Sequence, residues 1–244
     1  MKTTAIAVTL FCALPLAHAG ASFLITNGDF ETGTLAGWTA TTGAPYMDVT
    51  GSCNDGFAAQ SSAVGCATGT NPAFGTYAAY SSTSFPAISN NVGEWDNFLS
   101  QNITVPAGPI NNATLTLDYT ATWGSAASFF HGVNVEAAIL QGSNYLYSAG
   151  FVINPGTGGS DPWTAFSGDI TSVLAAHAGQ TLTFELESIG FYDTRGGGTG
   201  NVQTLSTGYD DVQISVNTPE PGAAGMAAGG LLLLLGSRLI RRRV

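Results

Sequence analysis

Basic residues are scarce in this sequence, and their scarcity excludes several classes of ligand. Of the 244 residues, 6 are Lys or Arg and 16 are Asp or Glu. The bases cluster at the two ends, so residues 20–218 hold 15 acidic residues against one base, Arg195, a net charge of −14. Such a region cannot neutralise phosphates. Nucleic acid and an anionic membrane surface are therefore excluded as partners of this region.

Catalytic motifs are also missing. The sequence contains no G-x-S-x-G and no H-E-x-x-H, and the Gly-rich segment 196–200 lacks the Lys of a phosphate-binding loop. We therefore predict that the protein is not an enzyme. A glycosidase needs only two carboxylates, and Glu185 and Glu187 lie two residues apart on one predicted strand. Alternation places them opposite the apolar face, which favours a solvated sheet face over a catalytic pair.

Cysteine is nearly absent. Cys12 lies in the apolar N-terminal stretch, which leaves Cys53 and Cys66 in the main region. The segment between them is rich in Asn, Asp and Gly. We predict one disulfide between Cys53 and Cys66 that closes a surface loop. Two cysteines without an adjacent His do not indicate a zinc site.

Long helical periodicity is absent between residues 20 and 218, where short apolar-alternating runs are separated by Gly, Asn, Pro and Ser. The predicted strands cover Phe23–Ile25, Leu99–Val105, Thr114–Thr120, Val133–Ile139, Tyr145–Tyr147, Phe151–Ile153, Thr181–Glu187 and Asp211–Val216. This pattern predicts an all-β protein, an antiparallel β-sandwich or jelly roll. One helical turn is expected at Asp169–Ala176, capped by Asp169 or Thr171. Trp38 and Trp163 are expected in the core.

Residues 1–19 have the three parts of a secretory signal peptide. Lys2 provides the positive start, Thr3 to Leu16 is apolar, and Ala17-His18-Ala19 is a small-residue cleavage site. The run is too short for a membrane span and is followed by polar sequence. We therefore expect export across the inner membrane, with residues 20–217 as the β-sandwich domain.

Residues 218–244 form a second sorting segment. Pro219-Glu220-Pro221 precedes an apolar run, Gly222 to Ser237, and a tail with Arg241, Arg242 and Arg243. As a helix the run spans about 24 Å, and snorkelling of Arg238 extends it toward the thickness of a membrane. The Arg cluster is expected to stay cytoplasmic, so the two ends of the chain agree on one topology.

The order of these three parts resembles the PEP-CTERM sorting signal of Gram-negative bacteria. The resemblance implies that an exosortase, a membrane protease-transpeptidase, processes the tail near Pro-Glu-Pro. It also implies a transient membrane anchor and then a place at the cell surface or in extracellular polysaccharide. A plain C-terminal anchor is the alternative.

Four further segments, in order, resemble a galactose-binding-like jelly roll of the carbohydrate-binding-module type. They are Leu24 to Gly33 with Gly37-Trp38, Leu99 to Leu117, Asp169 to Phe184, and Tyr209 to Ile214. The resemblance covers residues 22–216. Segments 53–66 and 196–200 depart from it as insertions.

This second resemblance implies a structural calcium ion. The implied ligands are Glu31, after the first strand, and Asp211, in the last strand, with Asp29 and Asp210 as reserves. These residues become neighbours if the two end strands pair. Ca²⁺ prefers carboxylate and carbonyl oxygens, and a domain of charge −14 has an electrostatic reason to bind it. Alternatively, Asp210 or Asp211 only accepts backbone N–H groups.

Candidate sugar-binding residues are aromatic residues in polar surroundings. Trp95 is flanked by acidic residues, Trp123 precedes a Gly-Ser pair, and Tyr192 lies near Arg195. Arg195 has the geometry to hold a carboxylate or a uronic acid, although an internal ion pair is the alternative.

The sequence therefore predicts a non-catalytic protein of the cell surface or the exopolysaccharide matrix, with carbohydrate binding as its specific role. The alternative is a structural or adhesive acidic matrix protein without a sugar site. A third hypothesis, a secreted hydrolase, requires two facing carboxylates in a cleft.

Overall fold

The computed structural model describes residues 21–42, 56–60, 72–85, 92–123, 130–153, 159–160, 162–193 and 203–219. The chain divides into two compact units, and one of them, Ala21–Thr218, carries every described helix and strand. The other comprises the two termini, of which only Pro219 is described. The predicted signal peptide and most of the predicted sorting segment therefore lie outside the described residues. Within the described ranges, no helix has the length and apolarity needed to cross a membrane.

The described elements are twelve strands and one short helix. In chain order they are β1 (Ala21–Phe23), β2 (Thr39–Thr42), β3 (Gly56–Gln60), β4 (Ala78–Phe85), β5 (Val92–Thr104), β6 (Asn112–Trp123), β7 (Phe130–Gln141), β8 (Asn144–Ile153), β9 (Gly159–Ser160), β10 (Thr164–Asp169), α1 (Thr171–Ala176), β11 (Thr181–Asp193) and β12 (Gln203–Asn217). The predominance of strand over helix confirms the all-β class.

The strands form two sheets, in which all described pairs are antiparallel. The first sheet has the order β10-β6-β12-β4-β3, with β1 also paired to β12 and β9 to β6. The second sheet, which we call the five-stranded sheet, has the order β2-β5-β11-β7-β8. The central strands of both sheets join segments that are distant in sequence, so non-local pairing holds the fold together.

The apolar faces of the two sheets pack into one core. Leu182, Phe184 and Leu186 of β11 are buried against residues of the opposite sheet such as Leu115 and Ile214. Burial of each such side chain contributes about 2 kcal/mol. The predicted alternation and the antiparallel β-sandwich are therefore confirmed. Trp38 is also buried in this core, as predicted, while Trp163 is half-buried against Tyr80.

Helix α1 closes one end of the core through buried Leu174 and the preceding Ile170. The predicted helical turn is confirmed, although it begins at Thr171. The N-cap is Ile170, which makes no side-chain capping hydrogen bond, so the predicted cap at Asp169 or Thr171 was wrong. The side chain of Asp169 instead accepts the Thr171 N–H at 2.9 Å just before the helix. Thr171 uses its hydroxyl elsewhere, accepting the N–H of Ala113 at 2.9 Å.

Strands β2, β4, β9 and β10 were not predicted, and most of the predicted strands are longer in the structure. Three further differences concern particular segments. The first strand ends at Phe23, although Leu24 still donates its N–H to Ile214. The runs Tyr145–Tyr147 and Phe151–Ile153 belong to the single strand β8, because β8 pairs along its length with β7. Strand β3 lies between Cys53 and Cys66 and pairs with β4, so that segment is more than a surface loop. Both cysteines lie outside the described residues.

Polar side chains connect the two sheets at some positions within the core. The amide of buried Asn97 on β5 donates to the hydroxyl of Ser81 on β4 at 2.7 Å. The buried Tyr209 hydroxyl on β12 lies between the carbonyl oxygens of Glu187 and Glu136 and accepts the Glu136 N–H at 3.1 Å. These bonds fix how β11 and β7 sit over the opposite sheet.

Candidate functional site

The outer face of the five-stranded sheet carries a cluster of polar side chains. On β11 the even-numbered residues from Leu182 to Leu186 face the core, so Glu185 and Glu187 lie on the outer face. On β7, buried Val135 and Ala137 flank Glu136 in the same way. We call Glu136, Glu185 and Glu187 the carboxylate cluster.

Tyr145 on β8 reaches into this cluster. Its hydroxyl donates a hydrogen bond of 2.7 Å to Oε1 of Glu187 on β11. Since β7 lies between β8 and β11, the side chain spans a whole strand. Glu187 is 3% exposed, whereas Tyr145 is 51% exposed. The Tyr145 side chain is therefore open to solvent, while its hydroxyl is fixed by the hydrogen bond to buried Glu187.

The other two carboxylates lie close to Glu187. Glu136 is directly opposite Glu187 in the β7–β11 register, and its Oε1 accepts the Ser148 hydroxyl from β8. Glu185 lies two residues before Glu187 on the same face of β11, and its charge raises the pKa of Glu187. Three carboxyl groups and the hydroxyls of Tyr145 and Ser148 thus come together from three adjacent strands.

Burial dominates the electrostatics of this network. It raises the pKa of Glu187 to about 7 against the opposing hydrogen bond from Tyr145, and the charges of Glu136 and Glu185 add to the rise. Burial also raises the pKa of Glu185. The hydrogen bond to Glu187 is the main cause that raises the pKa of the Tyr145 hydroxyl.

This arrangement differs from the solvated face expected at Glu185 and Glu187. Glu187 is buried because Tyr145 and Glu136 come from other strands to cover it. Glu136 carried no signal in the sequence, since an isolated Glu in an alternating run is usually exposed. Only strand order and register bring the three carboxylates together. The arrangement can accept several hydrogen bonds and offers one aromatic face, but it presents no described cation.

The predicted calcium ligands lie near the pairing of the two end strands. As expected, β1 pairs with β12, and the chain after β1 stays against it through the hydrogen bond of 2.9 Å from Val212 N–H to Gly28 O. Asp29 and Asp211 then line one open pocket of about 250 Å³. The lining residues are Phe23, Ile25, Asn27, Gly28, Asp29, Asp211, Val212 and Gln213.

Glu31 and Asp210 instead hold the segment 74–77. Oε1 of Glu31 accepts the N–H groups of Thr76 and Tyr77 at 2.7 and 2.8 Å. Oδ2 of buried Asp210 accepts the N–H of Phe74 at 3.0 Å. Burial raises the pKa of Asp210 to about 6, against the lowering effect of the backbone hydrogen bonds that Asp210 accepts. Asp210 therefore makes the contacts of the alternative role, that of an acceptor of backbone N–H groups.

The predicted calcium ligands therefore do not all lie at one place. Asp211 shares the pocket with Asp29, and its Oδ1 accepts the side-chain amide of Gln213 at 2.7 Å. Glu31 is not among the residues that line this pocket. In the part of the chain that the structure describes, no three His, Cys, Asp or Glu residues form a group suited to a metal ion. Asp29 and Asp211 nonetheless offer carboxylate oxygens, the ligand type that Ca²⁺ prefers.

The predicted sugar-binding residues lie at or beyond the edge of the described region. The backbone of Trp95 on β5 pairs with Gly190, and that of Tyr192 on β11 pairs with Gly93. The backbone of Trp123 pairs with Leu205 and Gly159. The side chains of these three aromatic residues, and all of Arg195, lie outside the described residues.

No family model matches this sequence, and a comparison with curated proteins gives no match. Solved structures with some likeness include the carbohydrate-binding module TmCBM61 in complex with β-1,4-galactotriose. It is 13% identical over 79% of this chain and 97% of its own, with a TM-score of 0.43. A cyclase, Fisc from Fischerella sp. TAU, is 16% identical over 82% of this chain and 100% of its own, with a TM-score of 0.45. The CBM22-2 xylan-binding domain from Paenibacillus barcinonensis is 17% identical over 78% and 98%, with a TM-score of 0.35.

Proposed function

We propose that this protein is an exported, non-catalytic carbohydrate-binding protein of the cell surface or exopolysaccharide matrix. Its β-sandwich, which we take to be a galactose-binding-like jelly roll, binds glycan on the outer face of the five-stranded sheet. The observation that carries the proposal is the Tyr145–Glu187 pair: an exposed aromatic ring anchored beside hydrogen-bonding carboxylates.

The chemistry of this face suits a sugar. Pyranose rings place C–H groups on a face that stacks on an aromatic ring, and their hydroxyls donate hydrogen bonds to carboxylates. Tyr145 provides the ring, and Glu136 and Glu185 provide half-buried acceptors beside it. Because the side chains are held on strands, little ordering is needed when the ligand binds.

The charge of this face selects the kind of glycan. The described ranges contain no Lys or Arg to pair with a uronic acid or a sulfate. An anionic polymer would be repelled by the carboxylate cluster. A neutral polysaccharide is therefore the ligand class that we propose.

Retention of the full-length chain on immobilised polysaccharides tests this proposal. The probes are neutral galactan and xylan, an anionic polyuronate, and the exopolysaccharide of the producing bacterium. We expect saturable retention on a neutral polymer, with release by the free sugar. Tyr145→Ala should weaken retention about tenfold or more, since stacking and one anchoring hydrogen bond are lost.

The matched control is Phe23→Ala, because Phe23 is also an exposed aromatic residue but lies on the other sheet. It should leave retention unchanged. Retention that survives Tyr145→Ala but is lost in Trp95→Ala or Trp123→Ala would move the site to the residues first predicted from the sequence. No retention on any polymer would favour the structural or adhesive matrix protein.

The sorting part of the proposal is supported by the two ends of the sequence. We infer removal of residues 1–19, transient anchoring by the apolar run after Pro221, and processing by an exosortase near Pro219-Glu220-Pro221. Mass spectrometry of the chain produced with and without an exosortase tests this. A C-terminus near residue 220 is expected only with the exosortase, and an intact Arg tail in both samples would leave a plain anchor.

A further inference from the structure

The carboxylate cluster brings like charges closer than a solvated sheet face would. Glu187 and Glu136 are directly opposite each other on paired antiparallel strands. Residues so placed have Cβ atoms about 5 Å apart, and like charges there are destabilising. Glu185 adds a third carboxyl group, two residues before Glu187 on the same face of β11. The cluster therefore needs a cation or a proton.

No described cation faces the cluster. The groups that face Glu187 are Glu185 on its own strand, Glu136 on β7 and the Tyr145 hydroxyl from β8. On β5, Phe98 and Ser100 are opposite Glu187 and Glu185 in the register. From β12 the Tyr209 hydroxyl contacts the carbonyl of Glu187, not its carboxyl group.

With no described cation at the cluster, a proton is what can relieve the repulsion around buried Glu187. Carboxylates can only accept hydrogen bonds, so two neighbouring Glu side chains can share one only when one of them is protonated. Tyr145 and Ser148 use their hydroxyl protons to donate to Glu187 and Glu136. These hydroxyls stabilise negative charge on the two Glu side chains but do not neutralise it.

We propose that the carboxylate cluster is a pH-sensitive device: it holds one shared proton at mildly acidic pH and releases it as the pH rises through neutrality, which weakens glycan binding. Loss of the proton places adjacent negative charges around Glu187, the carboxyl group that anchors the Tyr145 hydroxyl. The position of the proton agrees with the raised pKa of buried Glu187. The effect on glycan rests on the proposed function, whereas the proton itself does not.

The proton is tested without any glycan. The full-length chain, labelled with ¹³C at Glu side-chain carboxyl carbons, is titrated by NMR from about pH 5 to about pH 9. We expect one Glu carbon with a midpoint near neutrality, which disappears in Glu187→Gln. Glu136→Gln should lower that midpoint, because one repelling charge is removed. Glu31→Gln, which lies at the 74–77 segment, is the control and should leave it unchanged.

Retention on the neutral polysaccharide is then compared at about pH 5.5 and about pH 8. We expect about tenfold weaker retention at the higher pH for the natural chain and no pH effect for Glu187→Gln. If all Glu carbons titrate below about pH 5.5, the shared proton is overturned, whatever the retention. A neutral midpoint with equal retention at both values overturns the coupling alone. A neutral midpoint without retention at either pH leaves the proton established and overturns the proposed function.

Discussion

Gly28 and Val212 approach each other so closely that no side chain fits between them. The N–H of Val212 donates to the carbonyl oxygen of Gly28 at 2.9 Å, and a Cβ atom on Gly28 would lie 1.9 Å from the carbonyl oxygen of Val212. This contact holds the chain after β1 against the last strand. The contact also lies beside Asp29 and Asp211, two of the predicted calcium ligands.

Gly28→Ala should therefore destabilise the domain by about 2 kcal/mol or more, because backbone must move to admit one methyl group. Gly150→Ala is the control. Gly150 lies within β8, and a Cβ there would meet only Oε2 of Glu136 at 3.7 Å. Thermal unfolding of both variants measures the difference, and equal melting temperatures would contradict the close approach.

Tyr209→Phe should cost about 1–3 kcal/mol of unfolding free energy. The change removes the buried hydroxyl that accepts the Glu136 N–H and contacts two carbonyl oxygens, and no water replaces it at a fully buried position. Tyr119→Phe serves for comparison, because its ring keeps its stacking on Phe151 at 4.2 Å. Urea unfolding measures the free energy of unfolding of both variants. A Tyr209→Phe variant as stable as the natural chain would show that this hydroxyl does not connect the sheets.

Calcium should raise the melting temperature by several degrees, and a chelator should reverse the effect. A ligand at a hundred times its Kd contributes about 2.7 kcal/mol, and 1 kcal/mol is worth about 2–4 °C in a domain of this size. Asp211→Asn should abolish the shift, while it preserves the backbone, since Asp211 has φ 45° and Asn tolerates that region. Asp169→Asn, at the start of α1, is the control. A melting temperature that calcium and chelator leave unchanged would reject the calcium proposal.

Stability should fall as the pH rises from about 4.5 to about 7. Burial raises the pKa of Glu187 from 4.5 to about 7, so the folded state holds a proton that the unfolded chain has already lost. The contribution is greatest below the unfolded pKa and is lost as the pH rises through the folded pKa, for a total of about 3 kcal/mol. Glu187→Gln should flatten the profile only in part, because Asp210, with its pKa raised to about 6, acts in the same direction. Stability that is constant or rising over this window would contradict the buried, protonated Glu187.

The facing carboxylates should not hydrolyse glycan. We expect no reducing ends when the full-length chain is incubated with the neutral polysaccharide that it retains, because Tyr145 and Glu136 cover Glu187 on an open sheet face. Release of reducing ends by the natural chain, and its loss in Glu187→Gln, would instead establish the hydrolase that the sequence left as its third hypothesis.

Local patterns in the sequence determined the class of fold and the core. Alternation of period two at Leu182, Phe184 and Leu186 is a property of the strand itself, so it predicted the buried face without knowledge of any partner. The short helix at Thr171–Ala176 was also predicted from the local sequence. Strands β2, β3, β4, β9 and β10 were missed. Around β3 the Asn, Asp and Gly residues are typical of loops.

The tertiary structure alone decided the candidate site. Glu136, Tyr145 and Glu187 come from three strands, and their meeting depends on the order β11-β7-β8 and on register, where a slip of one residue reverses the face of every side chain. For the same reason Glu31 and Asp211, near in the predicted pairing, contact different groups. Composition and alternation are set within a few residues, whereas register is set by contacts between residues far apart in the chain.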